Sequence, residues 1–488
     1  MLADELKTKR LCFRCTQEEY LRNEIKKQGK RARCDYCGGL RRCYSLEEFS
    51  ERIEQAFEDH YERTSDQPDT YEDMMMRDRE SNYVWYREGE STVIAIMNAA
   101  EIPEAAAEDI QVVLDDRHSD FDAAAIGDET EFAEDAHYEE KGIHHSEWES
   151  EWHSFEESLK TEARFFNQSA AKHLSSLFEG VDKLATRQGG SVVVEAGPGT
   201  EWMMLFRARV FQSNSELKTA LAHPDRHLGP PPLQFATAGR MNARGISVFY
   251  GANSQAAALA EVRPPVGSQV AIACFSITRP LRLLDLTAFD KLVTRGSIFD
   301  PRYIRDLEKA GFLRTLGQRL SRPVMPNDEA LEYLATQAVA DFLATNQTLN
   351  LDGLIFPAVQ AAGGARNVVL FHKAARVKQR DVPEDTEIEV RLASQDEDGE
   401  HREYSVVEET PSPRKPVEKP ARSAVSNFAN LLSAPAPPAG RRWDDRLQDT
   451  LAIVDTEIEI HIVEAVNFKT EKHHVSRHRW EKEENPDF

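Results

Sequence analysis

No stretch of this 488-residue chain approaches the roughly 18 uncharged apolar residues that a membrane-spanning helix needs, so a helical membrane protein is not expected. Its first residues, Met1-Leu-Ala-Asp-Glu-Leu-Lys7, place an acidic pair where a secretory leader would be basic and then apolar, which argues for a cytoplasmic protein. Cysteine is scarce, six in all, and five of the six lie in the first 43 residues, so a disulfide framework running through the chain is ruled out. Basic residues are in deficit, 60 against 84 acids, and the resulting net charge of −24 would repel a nucleic-acid backbone if it were spread evenly. With 40% hydrophobic and 30% charged residues, the composition is that of a soluble globular chain with solvated connecting segments, long enough for two or three domains.

The charge is not spread evenly. Through the first forty or so residues, cations such as Lys26, Lys27, Lys30, Arg31, Arg33, Arg41 and Arg42 outnumber acids about two to one, whereas acid is concentrated at 129–162. Within that basic stretch stand Cys12-x-x-Cys15 and Cys34-x-x-Cys37, with eighteen residues between the pairs. Two such knuckles suit a tetrahedral zinc shell closed by all four thiolates, and a closed shell makes the metal structural, not catalytic. Residues 1–44 are therefore expected to form a small zinc-binding module with too few apolar residues to fold without the metal.

From Ser45 the pattern becomes helical. Ser45-Leu-Glu-Glu48 has the form of a capping box, and Leu46, Phe49, Ile53, Phe57 and Tyr61 follow at three- and four-residue spacings. Pro103 opens a second helix, and Trp148, Trp152, Phe155, Leu159, Phe166, Ala170, Leu174 and Leu177 form one apolar stripe ending at Gly180. These signals predict an all-helical domain over residues 45–188.

From about Ser191 short apolar runs alternate with helices, an α+β pattern. Strands are expected at 203–210, 246–250, 270–277, 281–286, 353–356 and 367–371, and helices at 254–262, 301–316 and 328–344. This half carries Leu205-Phe-Arg-Ala-Arg209, Gly239-Arg-Met-Asn-Ala-Arg-Gly245, Tyr250, Ala260-Glu261-Val262, Asp352-Gly-Leu-Ile-Phe-Pro357 and Gly363-Gly-Ala-Arg-Asn367. That ordered set resembles the RES domain, an NAD-consuming toxin family named for an Arg, a Glu and a Ser. Arg207 and Glu261 correspond to the first two, while the third falls on Ala358.

The resemblance implies an ADP-ribosyltransferase-like fold over 191–409, with NAD as substrate. It also implies a longer subgroup in which cysteine knuckles and a HEPN-class helical region precede the RES domain. HEPN ribonucleases use an Arg followed closely by a His; here Arg164 and His173 are separated by eight residues, so the helical region reads as regulatory or scaffolding and not as nucleolytic. By the same resemblance, Glu261 would stabilise the oxocarbenium-like ribose left as nicotinamide departs. A unit charge about 4 Å away at an effective dielectric near 20 is worth on the order of 4 kcal/mol, roughly three decades in rate. Arg207 and Arg240 would hold the pyrophosphate, with Arg209 a weaker candidate, and Tyr250 would stack on nicotinamide or ribose. Asn242 is a further cofactor-binding candidate that also shapes the turn presenting Arg240. The missing hydroxyl at Ala358 is expected to slow such a site by one to two decades unless Gln360 or Ser247 restores the contact.

Beyond residue 371, segments 387–392 and 403–407 alternate as edge strands do, 410–442 is a Pro/Ala-rich linker or loop, and 443–488 holds a strand expected to return to the RES-like sheet. Two functional classes remain. One is an NAD glycohydrolase acting as a toxin or defence effector, with phosphate or a protein side chain as alternative acceptors and a cognate antitoxin or regulatory protein as partner. The other is a degenerate sensor or regulator that binds NAD or ADP-ribose while the basic zinc module holds nucleic acid or a partner.

Overall fold

The computed structural model describes residues 2–78, 80–119, 129–325, 327–358, 360, 364–396, 399–411, 448–467 and 470–480. Most of the Pro/Ala-rich 410–442 segment, and Gly363 of the glycine pair, lie outside the described residues. The chain forms two compact units: Met1–Val192 with Asp285–Arg322 and Ala330–Ala335, and Val193–Leu284 with Pro323–Glu329 and Thr336–Phe488. No helix among the described residues is long and apolar enough to cross a membrane.

In the first unit, Arg10–Cys12, Leu40–Ser45 and Lys30–Arg33 form a three-stranded antiparallel sheet with Leu40–Ser45 in the middle. The helix Leu46–His60 starts where the sequence indicates: Ser45 and Glu48 make the reciprocal capping box. Leu11, Leu21, Ile25 and Tyr44 share one buried cluster with Leu46, Phe49, Ile53, Phe57, Ile96, Ile110 and Leu114. Each fully buried large side chain of this kind contributes about 1.5–3 kcal/mol, so the cysteine-bearing sheet draws stability from the helices as well as from any metal.

The segment 45–188 is not all-helical. Tyr61–Arg63, His137–Glu140 and Glu90–Ser91 make a second antiparallel three-stranded sheet, with His137–Glu140 in the middle. Strands of two to four residues separated by long stretches of chain leave too few alternations for a period-two signal, which is why the sequence does not reveal them. The aromatic stripe also divides, into the helices Ser146–Thr161 and Gln168–Phe178. Asn167 Oδ1 accepts from Ala170 N at 3.0 Å and so begins a new helix, and Phe166, at φ +59°, is 99% exposed instead of continuing the stripe. Trp148, Trp152, Phe155, Leu159, Leu174 and Leu177 are buried as expected.

The second unit is built on an eight-stranded sheet in the order Leu451–Ile462, Gln269–Ile277, Met204–Phe211, Phe249–Ala252, Arg366–Leu370, Gly353–Pro357, Leu281–Asp285, Val193–Ala196. The six strands anticipated from apolar runs are all present within a few residues. The carboxyl-terminal strand pairs antiparallel with Gln269–Ile277 over nearly its whole length, in keeping with the alternation around Ile458, Ile460 and Ile462. Glu387–Arg391 and Ser405–Glu409 pair with each other as a separate two-stranded ribbon. One sheet face packs Leu205, Phe249, Phe275, Leu283, Ile355, Val368 and Leu370 into a core with Leu217, Leu221 and Leu228 from the helices Asn214–Ala222 and Pro224–His227 and the residue that follows.

Gly353 lies where its strand passes close to Val369: a Cβ there would sit 2.2 Å from the Val369 carbonyl oxygen and 3.1 Å from Leu283 Cδ2. Because the clash is with backbone in a packed sheet, Gly353→Ala is expected to cost about 1–3 kcal/mol and lower the melting temperature by about 3–10 °C in calorimetry. An unchanged melting temperature would show that the two strands have room for a methyl group.

Candidate functional site

Three neighbouring strands and one helix bring the candidate residues together. Ala252 pairs with Phe206 on one side and with Asn367 on the other, so the Arg207, Tyr250 and Asn367 segments lie side by side across the sheet. Ser254 caps the helix Gln255–Glu261 by accepting from Ala257 N, and this seven-residue helix ends with Glu261 at the sheet surface. The result is a cleft of about 110 Å3 lined by Phe206, Arg207, Ala208, Tyr250, Gly251, Ala252, Ala258, Glu261, Val262 and Asn367. Gly251 keeps the strands close there, since a Cβ would lie 2.7 Å from its neighbour Phe249's ring and 3.3 Å from Leu205 Cβ.

Glu261 is exposed at the cleft mouth, and its Oε2 accepts from Asn367 Nδ2 at 2.9 Å. Among the described residues no cation is paired with it. A carboxylate at the last residue of a helix also faces the negative end of the helix dipole, an unfavourable place for it. Its charge is therefore not neutralised by the described residues. Asn367 is 4% exposed, and its Oδ1 is a buried acceptor with no partner. Such an atom normally costs about 1–3 kcal/mol, and in a cleft wall it fits a ligand N–H or O–H. Asn367 is not among the sequence-derived site residues, although a polar residue opening the run Asn367-Val-Val-Leu-Phe371 is a usable signal.

Arg207 Nη1 donates to the Tyr250 carbonyl at 2.8 Å and its guanidinium lies 5.4 Å from the Phe249 ring centroid. Burial, with Arg209 adding repulsion, pushes its pKa down to about 10, so it remains a cation at neutral pH. The Tyr250 hydroxyl accepts from Met241 N and donates to Asn242 Oδ1, each at 2.9 Å. Burial raises its pKa; Glu261 acts in the same direction, and the Met241 N–H, Arg207 and Arg240 oppose. Tyr250 is thus a neutral phenol whose tip is fixed.

Asn242 does not line the cleft. It is buried, and its amide donates to the carbonyls of Thr237, Ala243 and Ile246, so it fastens the turn and positions Tyr250. Arg240 also stands outside the cleft lining; its carbonyl accepts from Thr336 Oγ1, and Gln337 Nε2 holds the adjacent Gly239 carbonyl at 2.8 Å. Arg209 is turned to the His227 carbonyl. Ala358 is buried in the apolar cluster that includes Ala208, Ala252 and Ala258 of the cleft wall. Ser247 Oγ donates to the Pro231 carbonyl at 2.7 Å and Gln360 is not part of the lining, so neither supplies the missing hydroxyl.

The second candidate site is the four-cysteine cluster. The Sγ atoms of Cys12, Cys15, Cys34 and Cys37 all lie within 4.8 Å of one another, with Cys12–Cys37 at 3.6 Å, Cys12–Cys15 at 3.8 Å and Cys15–Cys34 at 3.9 Å. A tetrahedron with Zn–S bonds of about 2.3 Å has S···S edges of roughly 3.8 Å, so the donor set fits a metal such as zinc. Loading with zinc is expected to give one ion per chain, and Cys34→Ser should lose the metal and sharply lower the unfolding temperature of the first unit. Metal analysis with thermal unfolding checks this; full zinc content in Cys34→Ser would remove Cys34 from the ligand set.

Residues 204–393 match the RES domain, and residues 27–173 match HEPN/RES N-terminal domain 1. No curated protein gives a significant match to the chain. Arg207, Tyr250, Glu261 and Asn367 all fall inside the first match, which also spans most of the central sheet. The chain therefore carries a RES domain, of a family associated with NAD-degrading toxins, behind a HEPN/RES N-terminal domain.

Proposed function

We propose that the protein is an NAD glycohydrolase: water adds to C1′ of the nicotinamide-bearing ribose, the C–N bond breaks, and nicotinamide, ADP-ribose and a proton are released. The observation that carries this reading is an unneutralised carboxylate, Glu261, held by Asn367 at one rim of a cleft that Arg207 and Tyr250 also line. As the bond breaks, positive charge develops on the ribose, and a fixed carboxylate is most useful at that moment. Arg207 would face the pyrophosphate. The Tyr250 ring would stack on nicotinamide, and the unpartnered Asn367 Oδ1 would take an N–H of the carboxamide or a ribose hydroxyl. Small-ligand sites usually run about 300–1,000 Å3, so the 110 Å3 cleft suits one end of the dinucleotide, with the remainder lying outside it.

In this reading the sheet is ADP-ribosyltransferase-like, the four-cysteine site holds a structural zinc, and the natural role is that of a toxin restrained by an antitoxin or by its own amino-terminal region. The packing of Ala358 among small apolar side chains favours a second reading, a sensor that binds NAD without consuming it.

Incubation of the purified chain with NAD, with nicotinamide measured by chromatography, separates the two. Wild type is expected to release nicotinamide, Glu261→Gln to be slower by about three decades, and Asn367→Ala by about one to two. Ala358→Ser is expected to be faster than wild type. Saturable NAD binding with no release by wild type, and release by Ala358→Ser, would establish the sensor instead.

A further inference from the structure

We propose that the exposed, arginine-bearing end of the ribbon formed by Lys30–Arg33 and Leu40–Ser45 binds the phosphate backbone of a nucleic acid, independently of the NAD site. In this ribbon Arg31 pairs directly with Arg42, and Arg33 with Leu40. Side chains alternate along a strand, so Arg31, Arg33, Leu40 and Arg42 share one face, which runs on to the buried Tyr44, and the Arg42 guanidinium donates to the Lys27 and Gly29 carbonyls. All four are exposed. Like charges directly opposite across two strands destabilise a sheet, and an anion on that face would offset the repulsion.

The surrounding charges point the same way. Among the described residues no carboxylate is paired with Lys26, Lys27, Lys30, Arg31, Arg33, Arg41 or Arg42, whereas Arg52, Arg63, Arg87 and Arg117 in the same unit each have an acidic partner. Asp35, the one acid between Lys26 and Arg42, accepts from the Arg10 backbone N–H at 2.6 Å. In a chain with 84 acids, a cation cluster without acid partners is an electrostatic footprint for an external polyanion.

The chemistry favours nucleic acid over an anionic membrane. The adjacent helix Glu19–Gln28 has its apolar residues Leu21 and Ile25 fully buried, so it offers no face for insertion into a bilayer. Arginine forks suit phosphate oxygens. Phe13, whose backbone N–H donates to the Arg42 carbonyl, adds a partly exposed ring with the Lys26 ammonium 5.6 Å from its centroid, a place for an unpaired base to stack.

The test uses the whole chain and a fluorescein-labelled single-stranded RNA of about 20 nucleotides, followed by anisotropy. With about four phosphates neutralised, log affinity is expected to fall with log salt at a slope near −3, roughly a 60-fold weakening from about 50 to about 200 mM. Arg31→Gln/Arg33→Gln should bind about 10- to 100-fold more weakly at the lower salt with a slope shallower by about 1.4, while Arg391→Gln in the other unit behaves as wild type. Circular dichroism and zinc content confirm that the double variant is folded. No RNA binding at the lower salt, binding unaffected by the double substitution, or capture by phosphatidylserine vesicles without RNA binding would each overturn the proposal.

Discussion

Ala252 sits between Phe206 and Asn367, and the site depends on that antiparallel register. The pairing sets residues from three distant stretches of chain side by side: Arg207 sends its guanidinium to the Tyr250 carbonyl, and Asn367 reaches Glu261 on the following helix. A slip of one residue in the Ala252–Asn367 pairing would turn Asn367 to the opposite face and leave Glu261 without its hydrogen bond. The small side chains along the seam, Ala208, Gly251, Ala252 and Ala258, are part of the same constraint, because they leave the cleft open while the strands remain in contact.

Charge placement is the second organising feature. The protein has many more acids than bases, yet the carboxylate at the cleft is not neutralised and the arginine opposite it is partly desolvated. Both arrangements are unfavourable for the free protein. Around them the turn at residues 237–246 is hydrogen-bonded through Asn242, so Tyr250 is held without a contribution from ligand. Rigid polar scaffolding behind a cleft with unmet polar groups is how a site is kept preorganised.

In the first unit the four cysteines and the helices are parts of one structure. Leu11 and Tyr44 come from the strands beside the cysteine pairs, and they are buried against Phe49, Ile53 and Phe57. A metal at the cysteines would therefore brace a sheet in which one face carries Leu11 and Tyr44 into the helical core at one end and Arg31, Arg33 and Arg42 at the other. The match to HEPN/RES N-terminal domain 1, residues 27–173, takes in Cys34, Cys37 and the helices that follow, while Cys12 and Cys15 precede it.

The sequence by itself determined seven of the eight strands of the large sheet, the helix Gln255–Glu261, the Ser45 cap, the four-cysteine cluster and the candidates Arg207, Tyr250 and Glu261, because each is written in local periodicity, spacing or an ordered motif. The strand Val193–Ala196 and the helices Asn214–Ala222 and Pro224–His227 are not read from the sequence. Tertiary structure alone decided which candidates share a cleft. Asn242 and Arg240 stand in the right stretch of chain but behind or beside the site, and Asn367 enters it only because its strand pairs with the Tyr250 strand. The short sheet strands at 61–63, 90–91 and 137–140, and the break at Phe166, are equally beyond local reading. Strands of two to four residues are stabilised by partners far along the chain, and the turn at Phe166 depends on where Asn167 begins a new helix.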